Sequence, residues 1–204
     1  RRQRQMCIRD SSYATWDMPI EQAIIKKVVT DDGGDYSKIN LISTSVEDIK
    51  AALSSNIDSV WIYYAWDGIA CELQGLDTNF FYFKDYSPEL DDYSPVIIAN
   101  NDFLKNNSEV AKKFMAALSK GYDYAIENPD DAAQILVDAN EGLDIELCKK
   151  SQNWLASQYK ADADKWGVID QKRWDAFYGW VYDNGLCEID IPDGFGFSND
   201  YLPE

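Results

Sequence analysis

Residues 58–75 read DSVWIYYAWDGIACELQG. The run from Asp58 to Tyr64 is β-branched and aromatic, the turn after it carries Tyr, Trp and Asp, and the stretch from Asp67 to Gln74 has helical spacing and closes at Gly75. A strand passing directly into an amphipathic helix is the βα half of a parallel-sheet unit. The same pattern recurs on both sides. Upstream, a strand ending at Tyr13 leads through Ala14-Thr15-Trp16-Asp17 into a helix from about Met18 to Asp31, with Asp17 as N-cap, Pro19 in the first turn and Ile20, Ile24, Ile25, Val28 and Val29 as its apolar stripe. Gly33 and Gly34 stop that helix. Ile39 to Ser43 reads as a second strand, Ser45 with Asp48 opens a capped helix that buries Val46, Ile49, Ala52 and Leu53, and Asn79 to Phe83 reads as a further strand. The alternation predicts an α/β lobe with a parallel sheet over residues 12–88.

From Glu89 onward the pattern changes to one strand, Pro95 to Asn100, followed by helices. The helix from Ser108 to Glu127 places Val110, Phe114, Ala117, Leu118, Tyr122, Ala125 and Ile126 on a face expected to be buried. Asn128-Pro129 starts a helix through Asp138, Asp144 caps one to about Ser157, and Asp170 caps one that ends at Asn184-Gly185. Residues 188–204 read as an irregular tail. A lone strand leaves its backbone groups unpaired, so Pro95 to Asn100 must either join the sheet of residues 12–88 or belong to a sheet outside this chain.

Composition narrows the function. The 204 residues carry 19 basic and 36 acidic side chains, a net charge of −17 and no histidine, which excludes histidine chemistry and gives nucleic-acid binding no electrostatic footing. With 46% hydrophobic and 14% aromatic residues the chain can bury a core. Its longest apolar runs fall far short of the roughly 20 residues that span a bilayer. Cys7, Cys71, Cys148 and Cys187 lack metal-ligand spacing and read as isolated thiols. Residues 1–11, with arginines at 1, 2, 4 and 9, match nothing that follows and read as a non-native, read-through segment; no apolar stretch follows them as a targeting signal requires.

Two strand-to-helix turns concentrate polar aromatics: Tyr13 to Asp17, and Tyr63 to Gly68. In an open α/β sheet, ligands sit past the carboxyl ends of strands. Indole and phenol faces there suit a flat heterocycle, and a carboxylate accepts its exocyclic N–H. The alternative for each ring is an ordinary structural aromatic, and for Asp17 and Asp67 an ordinary helix cap. Gly33-Gly34 follows a helix and is no phosphate cradle, the pairs Asp91-Asp92 and Asp130-Asp131 read as solvated, and no nucleophile motif is present.

Several runs together resemble one family: YATWDMPIE at 13–21, WIYYAWDG at 61–68, SPVIIAN at 94–100 followed by Asp102-Phe103-Leu104, GYDYAIENP at 121–129, SQNWL at 151–155 and the closing stretch 197–204. They resemble the substrate-binding proteins of ABC importers for thiamine pyrimidine precursors, relatives of the sulfonate and nitrate binders. The resemblance implies a type II periplasmic-binding-protein-like α/β fold of two lobes with the ligand between them. It implies that residues 12–88 form lobe two and that residues 89–204 return to lobe one, whose first elements, with any signal or lipid anchor, would lie upstream of an N-terminally truncated chain. Such a chain is expected to bind poorly and to expose apolar surface on the Ser108 helix. Carried over by position, Trp16, Tyr63, Tyr64 and Trp66 would frame a hydroxymethylpyrimidine or formylaminopyrimidine, with Asp67 on its amino group. Ala14, Thr15 and Asp17 depart from the glycine-rich turn of relatives. The implied protein is extracytoplasmic, works with an ABC permease, and uses no cofactor or metal. Eukaryotic relatives include a pyrimidine synthase that consumes its own histidine with pyridoxal phosphate; this chain lacks both the histidine and the clustered cysteines. A sulfonate, nitrate or flavin binder on the same fold, and an enzyme using Asp17 and Asp67 as an acid/base pair, are the competing readings.

Overall fold

A computed structural model describes residues 11–203. The segment read as non-native lies outside them except for Ser11, and so does Cys7. The strands are β1 (Ser12–Thr15), β2 (Asn40–Ser43) and β3 (Ser59–Val60). The helices are α1 (Pro19–Asp31), α2 (Ile49–Leu53), α3 (Ile69–Leu73), α4 (Asn101–Asn106), α5 (Ser108–Glu127), α6 (Pro129–Ala139), α7 (Ile145–Ala156) and α8 (Gln171–Asp183). The chain forms two compact units, one of residues 11–92 with Gln171–Phe195, the other of Tyr93–Asp170 with residues 196–203. An α/β protein with a small parallel sheet and many helices is what the alternating pattern predicts.

In the first unit β1 is the central strand of a parallel sheet ordered β2-β1-β3, in register Tyr13 to Leu41 on one edge and Tyr13 to Ser59 on the other. Its residues Tyr13, Ala14 and Thr15 are buried, as both faces of a central parallel strand should be. Helix α1 packs over it with two sets of side chains. Ile25 and Val29 meet Tyr13, with Trp61 and Phe83 against them. Ile24 and Val28 meet Leu90 and, from α8, Trp180 and Val181. Each such fully buried aliphatic chain is worth about 1.5–3 kcal/mol. Helix α8 thus belongs to the first unit's core, whereas its position in sequence had grouped it with everything after residue 89. The physical reason is its apolar side, which matches that of α1.

Several expected elements form differently. Asn79 to Phe83 makes no strand; Phe81 and Phe83 point into the core of α1 while Phe80 and Tyr82 pack on Tyr64, so side chains alternate without a ladder. The expected strand from Asp58 to Tyr64 pairs only at Ser59 and Val60, because Trp61 leaves the ladder to pack on Trp16 and Phe83. Asp17 does not cap α1: the N-cap is Met18, with no side-chain cap, and Pro19 removes one of the donors a cap would serve. The helix expected to open at Ser45 begins at Ile49 instead, leaving Val46 outside it, and Asp48 takes the N-cap place expected of Ser45, accepting from the Ala51 N–H at 3.0 Å.

The second unit is helical. Small side chains, Ala111 and Ser119 on α5, Ala133 on α6 and Cys148 and Ser151 on α7, are buried where these helices pack. Asp144 caps α7 through the Leu147 N–H at 2.8 Å. Tyr122 stacks on Trp166 with 4.2 Å between ring centres, and Tyr159 meets it edge-on. Asn199 exchanges two hydrogen bonds with Ile169, fastening the tail. Pro95 to Asn100 forms no strand among the described residues, and Ile98 is 87% exposed. No neighbouring strand takes its backbone groups there, and extended chain without a ladder stays coil. The face of α5 expected to be buried is likewise open at Val110 and Phe114, both 55% exposed. Its inward side is shifted to Ala111, Met115 and Ser119.

An ion cluster closes the first unit. Lys27 bridges Asp31 at 2.7 Å and Glu89 at 2.8 Å, and the fully buried Ser87 hydroxyl donates to Asp31 at 2.5 Å, which holds Leu90 in the core. Burial alone pushes the Asp31 carboxyl up, but hydrogen bonds from Lys27 and Ser87 outweigh it and leave it below its ordinary value. The bond from Lys27 lowers Glu89 as well, and both carboxylates raise Lys27. Acids lowered in the folded chain bind fewer protons than in the unfolded one, so their stabilisation is present above a pH of about 4 and fades as pH falls below it. That of Lys27 is present below a pH of about 10 and fades above it. Acid titration of chemical-denaturation midpoints should therefore show a loss of about 1 kcal/mol between roughly pH 5 and 3 that Lys27→Met abolishes; an unchanged acid slope in the variant would show the cluster to be idle.

Candidate functional site

Because β1 and β3 are neighbouring and parallel, the turns that leave their carboxyl ends emerge at the same edge of the sheet. The first is built on a buried acid. Glu21, in the first turn of α1, is 2% exposed. Its Oε1 accepts from the Tyr13 hydroxyl at 2.7 Å, and its Oε2 accepts from the Thr15 hydroxyl at 3.0 Å and the Trp16 backbone N–H at 2.9 Å. Charge-assisted bonds of this kind offset the desolvation of the carboxylate. Burial, and then the bond to Glu21, pushes the Tyr13 phenol far above its usual range, so it stays a donor. Thr15 in turn accepts the Asp17 N–H at 3.0 Å. Asp17 sits in the left-handed region at φ 61°, a conformation that turns its carboxylate toward the Ser43 hydroxyl on β2 and away from the helix start.

Trp16, projected from this turn, is 40% exposed and leans on Trp61, ring centres 5.7 Å apart and tilted by 39°. Trp61 stands edge-on to Phe83 at 4.6 Å. The indole therefore has a fixed wall behind it and an open side.

The second turn winds wider than an α-helix from Tyr64 to Gly68 before α3 begins. Such π-type turns occur often at functional positions. Tyr63 is 62% exposed and Trp66 42%, so neither ring is sealed in the interior. Asp67 accepts from the Tyr63 N–H through Oδ2 at 3.0 Å, bracing the turn, and its Oδ1 has no partner among the described residues. Tyr64 is the most committed of the five expected residues. Its hydroxyl donates to Glu72 at 2.6 Å, which pushes the phenol up to about 12, and its ring packs on Phe80 and against the Cα of Gly68.

Trp16, Tyr63, Tyr64, Trp66 and Asp67 thus lie on two turns of one sheet edge, the last four on one turn and Trp16 on the other, backed by Trp61. Sequence reading missed two contributors. Trp61 looked like a strand residue. Glu21 was given no role, although its position three and four residues before Ile24 and Ile25 sets it on the apolar stripe. Neither turn carries a lysine or arginine. Among the described residues no group of three or more Cys, Asp or Glu converges as a metal site would require. Burial pushes the Cys71 and Cys148 thiols up, consistent with inert core positions.

A family model described as NMT1/THI5 like matches residues 9–132, more than half of the chain. The formylaminopyrimidine-binding protein of Halalkalibacterium halodurans is 28% identical over 170 residues, which cover 80% of this chain and 51% of that protein. The chain spans about half the length of this curated relative.

The left-handed Asp17 gives a direct test of the first turn. Asp17→Gly should leave the denaturation midpoint within about 0.5 kcal/mol of the parent, since glycine takes this backbone freely while losing the bond from Ser43. Asp17→Val should lose about 1–2 kcal/mol. Equal effects of the two would refute the turn geometry.

Proposed function

The chain belongs to the NMT1/THI5-like family, and from that membership and the aromatic edge we propose that it is a solute-binding protein for a thiamine pyrimidine precursor, of the hydroxymethylpyrimidine or formylaminopyrimidine type. The name of its relative, a formylaminopyrimidine-binding protein, supports that ligand class and a role in binding without turnover. The proposal includes an extracytoplasmic site of action, a cleft between two lobes of which this edge is one wall, and delivery to the permease of an ABC importer. No helix among the described residues is long and apolar enough to cross a membrane.

The observation that carries the reading is the exposure of Trp16, Tyr63 and Trp66 on the turns that follow two adjacent parallel strands, with Asp67 on the second of these turns keeping one oxygen without a protein partner among the described residues. A pyrimidine ring stacks on the indole face, contributing about 0.5–1.5 kcal/mol beyond the area it buries. Its exocyclic amino group donates to Asp67, which orients it. Sulfonate or nitrate is disfavoured, because neither turn offers a Lys or Arg to pair with an anion, and both carry carboxylates. An acid/base pair of Asp17 and Asp67 is disfavoured as well: each is held by a neighbour, Asp17 by Ser43 and Asp67 by the Tyr63 N–H, and neither is buried.

Calorimetric titration with formylaminopyrimidine and hydroxymethylpyrimidine, with taurine, nitrate and riboflavin as comparators, decides the matter. Weak but saturable binding of a pyrimidine is expected, reduced about tenfold or more by Trp16→Ala and by Asp67→Asn, roughly 1.4 kcal/mol each. The recovered ligand should be chemically unchanged by mass spectrometry. Binding of a comparator but of neither pyrimidine would end the proposal.

A further inference from the structure

We propose that Glu21 is a positioning residue whose buried carboxylate sets the stance of the Trp16 ring and so tunes the affinity of the aromatic edge. This rests on the pyrimidine-binding reading above and deepens it. A carboxylate at 2% exposure with no Lys or Arg in ion-pair reach among the described residues is costly, and its neighbours on α1 show that an aliphatic residue would serve for packing. What the acid does that an aliphatic residue cannot is hold three donors from one four-residue stretch: the hydroxyls of Tyr13 and Thr15, and the main-chain N–H of Trp16 itself.

The geometry is directional. Oε2 takes both the Thr15 hydroxyl and the Trp16 N–H, closing a small ring at the point where β1 ends. Thr15 passes the constraint on by accepting the Asp17 N–H, and the Thr15 carbonyl accepts the Thr44 N–H at 3.2 Å. The backbone on either side of Trp16 is therefore fixed, and only the side-chain torsions remain, which the contact with Trp61 restricts. A ring ordered before the ligand arrives loses less freedom on binding.

Glu21→Gln keeps the volume and one acceptor oxygen while removing the charge. In the full chain it should weaken formylaminopyrimidine binding by about three- to tenfold, and the effect should vanish to within about twofold in a Trp16→Ala background. Val28→Ala, which destabilises the same helix from a core position away from the turn, should leave affinity within about twofold of the parent. A second readout needs no ligand: the near-ultraviolet circular dichroism that arises from the tilted Trp16–Trp61 pair, taken as the difference between the parent and Trp16→Phe, should shrink when the same difference is taken in the Glu21→Gln background. An unchanged dichroism difference, an unchanged affinity in Glu21→Gln, or an equal loss in Val28→Ala would overturn the assignment. If the parent binds no pyrimidine, the functional proposal fails by itself, and the dichroism difference still decides the role of Glu21.

Discussion

Strand β1 is four residues long and bonded on both edges, and the arrangement of the first unit follows from that double pairing. Parallel neighbours send their chains out at the same end, so the exits of β1 and β3 share one edge however the intervening residues fold. A strand this short also offers little ladder to spend on register. The register is reinforced from the side instead: Asp58 accepts the Ser12 N–H at 2.8 Å, Asn40 donates to the Ser12 hydroxyl at 3.2 Å, and Glu21 gathers Tyr13, Thr15 and Trp16. A slip of one residue would turn Tyr13 and Thr15 away from Glu21 and leave a carboxylate buried without donors, a penalty of several kcal/mol. The polar contacts of Glu21 therefore specify the alignment that the aliphatic contacts of Ile25 and Val29 stabilise without choosing.

Much of this was legible in the chain. Helix α1 and the helices from α5 to α8 were visible because their apolar residues recur at helical spacing and their ends carry proline, aspartate or glycine in the expected places. The parallel sheet was legible from the alternation of strand-like and helix-like runs. The misreadings share a cause. Asn79 to Phe83 and Pro95 to Asn100 have the composition of strands, and composition reports how a side chain likes its surroundings, not whether a neighbouring strand is there to accept the backbone. In the first case alternation survived because rings on opposite sides found separate packing partners, the α1 core and Tyr64.

At the candidate site the two turns and their aromatic residues could be picked out, since large polar aromatics after a strand are conspicuous. Glu21 could not, because an acid in the first turn of a helix is what the helix dipole favours at any surface. Only its phase, on the side of Ile24 and Ile25, separated it from a solvated acid, and the donors that justify its burial come from a strand whose position the helix pattern does not encode. Asp17 misled for the complementary reason. Its residue type and place fit a cap, but a backbone at φ 61° sends the side chain to β2, and Met18 takes the cap position without contributing a side-chain bond.

The electrostatics of the edge bear on what it can hold. Glu21 is occupied by three donors, Asp17 by Ser43 and one oxygen of Asp67 by a backbone N–H, so the turns present acceptors and aromatic faces but no formal positive charge. On a chain of net charge −17 an anionic ligand would be repelled at long range and find no cation on arrival. A neutral ring bearing an amino group, seated as proposed, would meet the opposite situation: its positive edge hydrogens would face the Asp67 acceptor, and its π-face an indole already braced by Trp61. On the proposed reading, the choice between the two ligand classes would rest on what the turns lack as much as on what they supply, and the same lack of cations would leave hydrogen-bond direction and ring orientation as the means of selectivity.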